Sequence, residues 1–305
     1  MADPQPRMAL GTVQWGISYG IGNATGPPSD TELARMLQAA SALGIDTLDT
    51  ARAYGDSESR IGATLQALGS SDRFRVITKV APDILQVERE DERQAAQQRL
   101  SDSVAASAKA LAPARIDTLL LHRSDHRTAA GGALWDVMQR LRERGLVARI
   151  GISALSPSDA LDALQDDQID VMQVPASLLD QRLARAGFFQ TARDRDMEIH
   201  VRSVYLQGLA FLPADRLPPH LAPSRPVIEN IQMCARRFGK EVADVWLDYA
   251  RALPVDLLVI GTESLVQLRK NAEQFQRPSL DSITSFAADL PLLGDEVLDP
   301  AKWPR

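Results

Sequence analysis

The sequence predicts an α/β fold in which eight parallel strands and their helices close into a (β/α)8 TIM barrel. Eight short apolar runs alternate with segments of helical spacing, and the chain has 305 residues, an ordinary length for one such barrel. Neighbouring parallel strands need a crossover helix, and strands that are covered on both faces are apolar throughout. We therefore expect one barrel domain spanning residues 1–305.

The eight predicted strands are separated by predicted helices. The strands are residues 8–13, 45–49, 74–79, 116–122, 147–153, 169–174, 198–204 and 255–261. The helices are residues 30–44, 57–69, 91–112, 134–145, 156–165, 185–196, 227–239 and 263–275. A doubly wound sheet is the main alternative, but no Gly-x-Gly-x-x-Gly motif follows the first strand.

Local signals mark the helix ends and two additions to the barrel. Ser29, followed three residues later by Glu32, predicts a capping box at the start of the first helix. Glycines stand where helix C-caps are expected, at Gly44, Gly145 and Gly239. An extra helix at 241–254 precedes the last strand, and the C-terminal tail from residue 278 is expected to pack on the barrel.

Composition narrows the class of function. The formal net charge of -6 argues against a nucleic-acid partner, and no apolar run of about 18 residues indicates a membrane span. The N-terminus lacks the features of a secretory signal, so the expected location is the cytoplasm. Cys234 is the only cysteine, and His126, His200 and His220 show no metal-ligand spacing, so we expect no metal site.

Ionisable side chains are expected to meet at one end of this barrel, because chemistry in such folds lies at the C-terminal ends of the strands. They are Asp49 after the second strand, Tyr54 in the following loop, Lys79 after the third strand and His122 after the fourth. Taken singly, each has an ordinary structural explanation, such as a helix cap, a solvated strand end or a packed ring. Their placement on successive strands favours a shared site.

The residue types suit acid–base chemistry. A free tyrosine has a pKa of about 10, too high for efficient proton transfer near neutrality, and an adjacent ammonium favours the phenolate. Lys79 would supply that charge beside Tyr54, and Asp49 would keep the lysine charged and in position. His122 would hydrogen bond to a carbonyl oxygen and orient it.

These residues fall in motifs that resemble the aldo-keto reductase family over nearly the whole chain. The motifs are GTVQWG at 11–16, LDTARAYGDSESRIG at 48–62, VITKV at 76–80, IDTLLLHR at 116–123, IGIS at 150–153 and GTESLVQLRKN at 261–271. An Asp, Tyr, Lys and His tetrad occupies these motifs in that family. The resemblance implies that Tyr54 protonates the oxygen of a small aldehyde or ketone while hydride arrives from C4 of a nicotinamide.

The resemblance also implies a coenzyme lying across the barrel mouth, NADPH in the first place and NADH as the alternative. Its implied contacts are Gly11, Thr12, Asp49, Ser153, Gln173, Arg202, Gly261, Thr262, Gln267 and Asn271. The segment 261–271 would receive the adenosine end, and the start of its helix is a natural anion site. Gln173 has the alternative role of satisfying backbone groups at a strand end.

The chain departs from the family pattern in three ways. Ala154 stands where many members have Asn, and Arg202 stands where many have an aromatic ring stacked on the nicotinamide. A planar guanidinium can stack in the same way, with a structural ion pair as the alternative for Arg202. Gly261 and Gln267 stand where some members use Lys and Arg to bind the phosphate of NADP.

The substrate candidates are Trp15, Arg123 and Trp303. Core packing is the alternative for Trp15, and an ordinary surface charge is the alternative for Arg123. Two other functions stay open: a nicotinamide-binding redox sensor or regulatory subunit with little turnover, and an aldolase-like enzyme in which Lys79 forms a Schiff base.

Overall fold

The computed structural model describes residues 5–21, 26–85 and 93–304, and it contains a closed parallel barrel of eight strands in sequence order. The strands are β1 (Arg7–Gly11), β2 (Thr47–Asp49), β3 (Arg75–Lys79), β4 (Ile116–Leu121), β5 (Arg149–Ser153), β6 (Val171–Pro175), β7 (Glu198–Arg202) and β8 (Leu257–Gly261). Strand β1 pairs with both β2 and β8, which closes the barrel. The predicted fold class is confirmed.

Helices surround the barrel. They are α1 (Val13–Gly16), α2 (Asp30–Ala42), α3 (Ser57–Leu68), α4 (Arg93–Leu111), α5 (Ala129–Glu143), α6 (Pro157–Ala163), α7 (Arg182–Arg185), α8 (Phe188–Asp194), α9 (Arg225–Arg237), α10 (Val242–Arg251), α11 (Leu265–Gln276), α12 (Ile283–Ala288) and α13 (Asp295–Leu298). Helix α10 is the extra helix expected before the last strand. The first two residues of the helix predicted at 91–112 lie outside the described residues.

Two apolar layers hold the barrel together. Side chains alternate between the two faces of each strand, so Leu10 packs outward into the large core shared with the helices, whereas Ala9 belongs to a separate small cluster. That cluster also contains Ile77, Leu120 and Val259 from other strands, which places it inside the barrel. The barrel is therefore a packed scaffold whose strand ends are fixed in space.

Most helix-end signals act as expected, with one difference. Gly44, Gly145 and Gly239 all have positive φ, as left-handed helix C-caps require. Ser29 accepts a hydrogen bond from the Glu32 N–H, but the Glu32 carboxylate does not complete the capping box. It instead accepts the Leu265 N–H at the start of α11. Tertiary pairing therefore outweighs the local motif at Glu32.

Several predicted boundaries differ from the structure by one or more residues, and three of them show how the backbone departs from the sequence pattern. Strand β1 ends at Gly11, because the chain turns into the short helix α1. Strand β7 ends at Arg202, because Ser203 adopts a φ of +63° that an extended strand does not allow. Helix α5 begins earlier than predicted, with left-handed residues at 130–132 before its regular part.

The C-terminal tail packs on the barrel's outer helices. Helix α12 contacts α10, and α13 contacts the turn at Pro219–Ser224. Buried tail side chains include Ile283, Val297 and Trp303. Within the described residues, no helix is both long and apolar enough to cross a membrane.

Candidate active site

A buried ion pair lies where β2 and β3 end. The Lys79 ammonium donates to both carboxylate oxygens of Asp49, at 2.9 and 2.8 Å, and to the Thr50 carbonyl at 3.0 Å. The two side chains are 1% and 4% exposed. A bidentate contact and a carbonyl partner satisfy all three ammonium protons, so the lysine is held in one position.

Tyr54 and His122 lie beside this pair. The Lys79 Nζ is 5.1 Å from the centroid of the Tyr54 ring. The rings of Tyr54 and His122 are perpendicular, with centroids 6.1 Å apart. The structure therefore brings together all four residues of the predicted tetrad at the C-terminal ends of the strands.

Close backbone packing fixes the loop that carries Tyr54. A Cβ atom on Gly16 would lie 1.8 Å from the Tyr54 carbonyl oxygen, so this crossing of α1 and the loop requires glycine. Gly55 has a φ of +57°, and a Cβ there would lie 2.5 Å from the Gly16 oxygen. The Tyr54 N–H closes a turn onto the Ala51 carbonyl at 3.0 Å. Two glycines from separate segments thus set the position of Tyr54.

Glu58 holds the same loop in place through two hydrogen bonds. It is buried at 1% exposure, accepts the Thr78 hydroxyl at 2.6 Å and accepts the Arg52 guanidinium at 2.8 Å. Thr78 precedes Lys79 on β3, and Arg52 precedes Tyr54 in the loop. The sequence places this glutamate in the helix predicted at 57–69 and does not identify it as part of the site. A carboxylate on the buried face of a predicted helix was the available signal.

The surroundings of Lys79 and His122 shift the pKa values of these two side chains in opposite directions. Burial lowers the pKa of Lys79, but the Asp49 carboxylate and Tyr54 oppose this effect, and the pKa lies above its ordinary value. Burial, together with the positive charges of Lys79 and Arg202, lowers the pKa of His122 to about 3. Near neutral pH the site therefore holds a charged lysine and a neutral histidine.

A cavity of about 650 Å³ opens above the tetrad and extends to helix α11. One end is lined by Asp49, Tyr54 and His122, and the other by residues at the start of α11. Most of the predicted coenzyme contacts line it: Gly11, Thr12, Asp49, Ser153, Arg202, Gly261, Gln267 and Asn271. The tetrad and this second region therefore belong to one continuous site.

Gln173 and Thr262 do not line the cavity but lie next to it. The Gln173 side chain donates to Asp49 Oδ1 at 2.7 Å, and its own Oε1 is buried without a hydrogen-bond partner in the described part of the chain. The Thr262 hydroxyl is also buried and has no partner among those residues, and the Thr262 carbonyl accepts the Trp15 indole N–H. Gln173 thus holds the Asp49 carboxylate, a contact that the sequence did not predict.

The Arg202 guanidinium lines the cavity and is held by two hydrogen bonds. Its Nη2 donates to the Ala154 carbonyl at 2.9 Å, and its Nη1 donates to the Ser203 hydroxyl at 3.2 Å. Among the described residues it forms no ion pair, in contrast to the structural alternative considered for it. The guanidinium is therefore fixed between the ends of β5 and β7.

The three predicted substrate residues lie outside the cavity lining. Trp15 is fully buried and donates its indole N–H to the Thr262 carbonyl at 2.9 Å, which is a packing role. Arg123 is exposed and paired with Asp125 at 2.7 Å. Trp303 is 8% exposed and donates to the Val297 carbonyl within the tail. The sequence places Trp15 and Arg123 after strand ends and Trp303 in the tail, but side-chain direction decides which residues reach the site.

Other residues form the cavity rim that the sequence did not identify. Tyr19 follows β1, Leu155 follows β5 and Phe211 follows β7, and all three line the cavity. Burial raises the pKa of Tyr19, although the positive charges of Arg202 and Lys79 oppose the shift. Leu155 and Phe211 are 50% and 57% exposed. Their position on loops of irregular backbone explains why periodicity gave no signal for them.

The described part of the chain contains no set of side chains arranged to bind a metal ion. No group of three or more His, Cys, Asp or Glu side chains is close enough there to hold a metal ion.

Comparisons with known proteins identify a family. The model of the aldo/keto reductase family matches residues 7–284. D-threo-aldose 1-dehydrogenase from Pseudomonas sp is 32% identical over 201 residues, which are 55% of this chain and 59% of that relative's length. An aldo-keto reductase from Strobilurus tenacellus is 27% identical over 264 residues, covering 80% of this chain and 76% of the relative.

Solved structures show the same fold. An aldo-keto reductase from Bacillus halodurans, in its holo form, superposes with a TM-score of 0.73 at 18% identity. The superposition covers 97% of this chain and 99% of the other.

Proposed function

Because the chain belongs to the aldo/keto reductase family, we propose that it interconverts an aldehyde or ketone and the corresponding alcohol with a nicotinamide coenzyme, using Tyr54 as the proton donor. The observation that carries the proposal is the buried Lys79–Asp49 pair directly beside the Tyr54 ring, at the mouth of an elongated cavity. The reaction is an oxidoreduction of a small carbonyl compound.

The described residues fit a nicotinamide coenzyme. The cavity has separate ends at the tetrad and at α11. His122 and Gln274 line it, and each has a buried nitrogen without a hydrogen-bond partner among the described residues. Gln173 offers a buried, free Oε1 next to Ser153, a suitable acceptor for a carboxamide N–H. The bound coenzyme would supply the hydride, and this chain's residues would supply binding, orientation and the proton.

Tyr54 would move the proton. In reduction its hydroxyl would donate to the carbonyl oxygen, and in oxidation its phenolate would accept the proton from the alcohol. Lys79 would stabilise the phenolate, because its fixed ammonium lies 5.1 Å from the centre of the ring. The Asp49 carboxylate would keep Lys79 charged and in place.

His122 would orient the carbonyl. Its lowered pKa leaves the imidazole neutral, so it would donate one N–H to the carbonyl oxygen without transferring a proton itself. The same electrostatics argue against a Schiff-base role for Lys79. That role needs a lysine that becomes neutral, whereas the raised pKa of Lys79 keeps it protonated.

NADPH is the coenzyme expected from the sequence. For this chain the choice between NADPH and NADH depends on the charges around the adenosine end of the cavity, near α11. The substrate's identity is a separate question. One relative is named D-threo-aldose 1-dehydrogenase, so aldoses belong in a substrate panel, beside aliphatic and aromatic aldehydes.

The test is a coupled measurement of binding and turnover. Purified protein would be titrated with NADPH and NADH and then mixed with the carbonyl panel, and with aldoses and the oxidised coenzymes for the reverse direction. Carbonyl-dependent coenzyme oxidation supports the proposal. Tight binding without turnover on any compound would instead indicate the sensor function, and absence of binding by either coenzyme would contradict both.

A further inference from the structure

The two ends of the cavity fix where the adenosine half of a coenzyme would lie. This step rests on the proposed function, because it takes the nicotinamide to react beside Tyr54. The same cavity continues past Arg202 and Gly261 to Glu263, Gln267 and the first turns of α11. The adenosine ribose and base would therefore lie against α11.

Neutral amides line the innermost part of this end. Asn271 and Gln274 line the cavity and are 8% and 5% exposed. The Gln274 Nε2 is buried and has no hydrogen-bond partner in the described structure. A buried, unpaired amide costs free energy unless a ligand satisfies it, so this end is suited to a polar heterocycle such as adenine.

The surrounding rim carries a negative charge. Glu263 lines the cavity just before α11, and its carboxylate has no ion-pair partner among the described residues. Its contact with the Gln14 amide is 3.5 Å long, at the limit of a hydrogen bond. The carboxylate is therefore available to a ligand.

Three of the backbone donors that could receive a phosphate at this place already have acceptors within the chain. Glu32, a second carboxylate, accepts the Leu265 N–H at 2.7 Å at the first turn of α11. The Gln267 N–H bonds to the Ser264 hydroxyl at 3.3 Å, and the Gln267 side chain accepts the Glu263 N–H at 2.8 Å. The chain's own groups thus take up part of the anion site expected at this helix start.

The cations among the described residues that line the cavity are engaged elsewhere. A Cβ atom on Gly261 would lie 2.6 Å from the Gln14 Oε1, so the Gln14 amide fills the space from which a longer side chain would begin. Lys270 lines the cavity but is bound to Glu241 at 2.6 Å. Of the described lining residues, Arg202 is the other cation, and it lies at the end of β7, bonded to the Ala154 carbonyl.

From this arrangement we infer that the site selects NAD(H) over NADP(H), with Glu263 as the specificity-determining residue. The two coenzymes differ only at the adenosine ribose, where NADP(H) carries a 2′-phosphate and NAD(H) a 2′-hydroxyl. A carboxylate accepts a hydrogen bond from a hydroxyl and repels a phosphate, which is how acidic residues select NAD in other dinucleotide sites. The inference and the sequence-based expectation of NADPH make opposite predictions.

Equilibrium binding measurements distinguish a preference for NAD(H) from a preference for NADP(H) without reference to turnover. Quenching of the intrinsic tryptophan fluorescence would give a Kd for NADH and a Kd for NADPH. We expect NADH to bind at least about tenfold more tightly, which corresponds to about 1.4 kcal/mol. Glu263→Gln, which keeps the side-chain size and removes the charge, should shrink the preference about tenfold, chiefly by tightening NADPH.

Two further variants sharpen the test. Glu263→Gln combined with Gln267→Arg should reverse the preference, because a cation then replaces an anion beside the 2′-position. Glu229→Gln removes an exposed carboxylate from α9, outside the cavity lining, and should leave both Kd values unchanged.

The outcomes have distinct meanings. If the wild-type protein binds NADPH as tightly as NADH or more tightly, the inference is overturned and the proposed function stands. An unchanged Kd ratio in Glu263→Gln would also overturn the role of Glu263. If neither coenzyme binds, the proposed function fails, and the inference fails with it.

Discussion

At the scale of single residues, the site depends on a charge pair that is almost fully removed from water. Lys79 and Asp49 are 1% and 4% exposed, and Gln173 adds a hydrogen bond to the same carboxylate. Desolvating two ions is costly, so removing only one partner leaves an uncompensated buried charge. The pair therefore couples the stability of the barrel mouth to its chemistry.

Lys79→Met should lose both activity and stability. Asp49 would remain buried without its partner, and we expect the free energy of unfolding to fall by about 3–5 kcal/mol. Adding Asp49→Asn to Lys79→Met should recover part of the lost stability. It should recover none of the turnover, because the positive charge beside Tyr54 is still missing. Denaturant unfolding and carbonyl reduction of the two variants check this. A double variant no more stable than the single would contradict the account.

The sequence allowed the tetrad to be located but not its surroundings. Asp49, Lys79 and His122 each stand at a strand end, a position that apolar periodicity reveals. Trp15 also stands near a strand end, yet its side chain turns into the core. Glu58 bonds to Arg52 and Thr78, and only its place on the buried face of a predicted helix indicated such a role. Glu263 lines the cavity because of how the turn before α11 is folded, which no local pattern encodes.

At the scale of elements, glycines decide how closely neighbouring segments approach. The strands and most helices follow from periodicity, and the extra helix α10 is where the sequence places it. The turn after β7 does not follow from the sequence, because Ser203, Leu206 and Gln207 adopt positive φ values that are rare for residues other than glycine. Loop geometry of this kind depends on tertiary contacts that periodicity does not capture.

Gly16→Ala should impair the site by displacing Tyr54. The added methyl group would collide with the Tyr54 carbonyl, and overpacking of this kind typically costs about 1–3 kcal/mol. Turnover per folded molecule should fall, because Tyr54 would shift relative to Lys79. Activity and denaturant unfolding measured together check this expectation.

Gly44→Ala is the matched glycine control. Gly44 has a φ of +75°, and an added methyl group there would meet no atom within 4 Å, so the substitution strains only the helix end. It should lower stability by about 1 kcal/mol and leave turnover per folded molecule unchanged. Equal losses of turnover in both variants would show that the Gly16 contact does not position Tyr54.

At the scale of the whole molecule, the two ends of the barrel differ in what their side chains form. The C-terminal end holds the cavity, whereas the N-terminal end holds a charged network in which Arg149 joins Asp117 and Glu198. His200 also bonds to Glu198, at 2.8 Å. Conventional barrels place stability at this end and chemistry at the other.

The network predicts a loss of stability in acid. Burial raises the pKa of Glu198, but its bonds to His200 and Arg149 lower it to about 2. Because the native pKa lies below the unfolded value of 4.5, Glu198 stabilises the fold above pH 4.5 and loses that contribution as the pH falls toward 2. Glu198→Gln should therefore be less stable at neutral pH and less acid-sensitive over this window. Unfolding curves of equal pH dependence would contradict this.

The measurement that tests the central claim most directly compares wild-type protein with Tyr54→Phe. Phenylalanine keeps the ring beside Lys79 and removes only the proton donor. We expect coenzyme Kd values within about twofold of wild type and carbonyl reduction lowered about 10²–10⁴-fold. Tyr249→Phe is the control, since its buried hydroxyl has no hydrogen-bond partner among the described residues and lies outside the cavity lining. Carbonyl reduction undiminished in Tyr54→Phe would contradict the assignment of Tyr54 and the mechanism built on it.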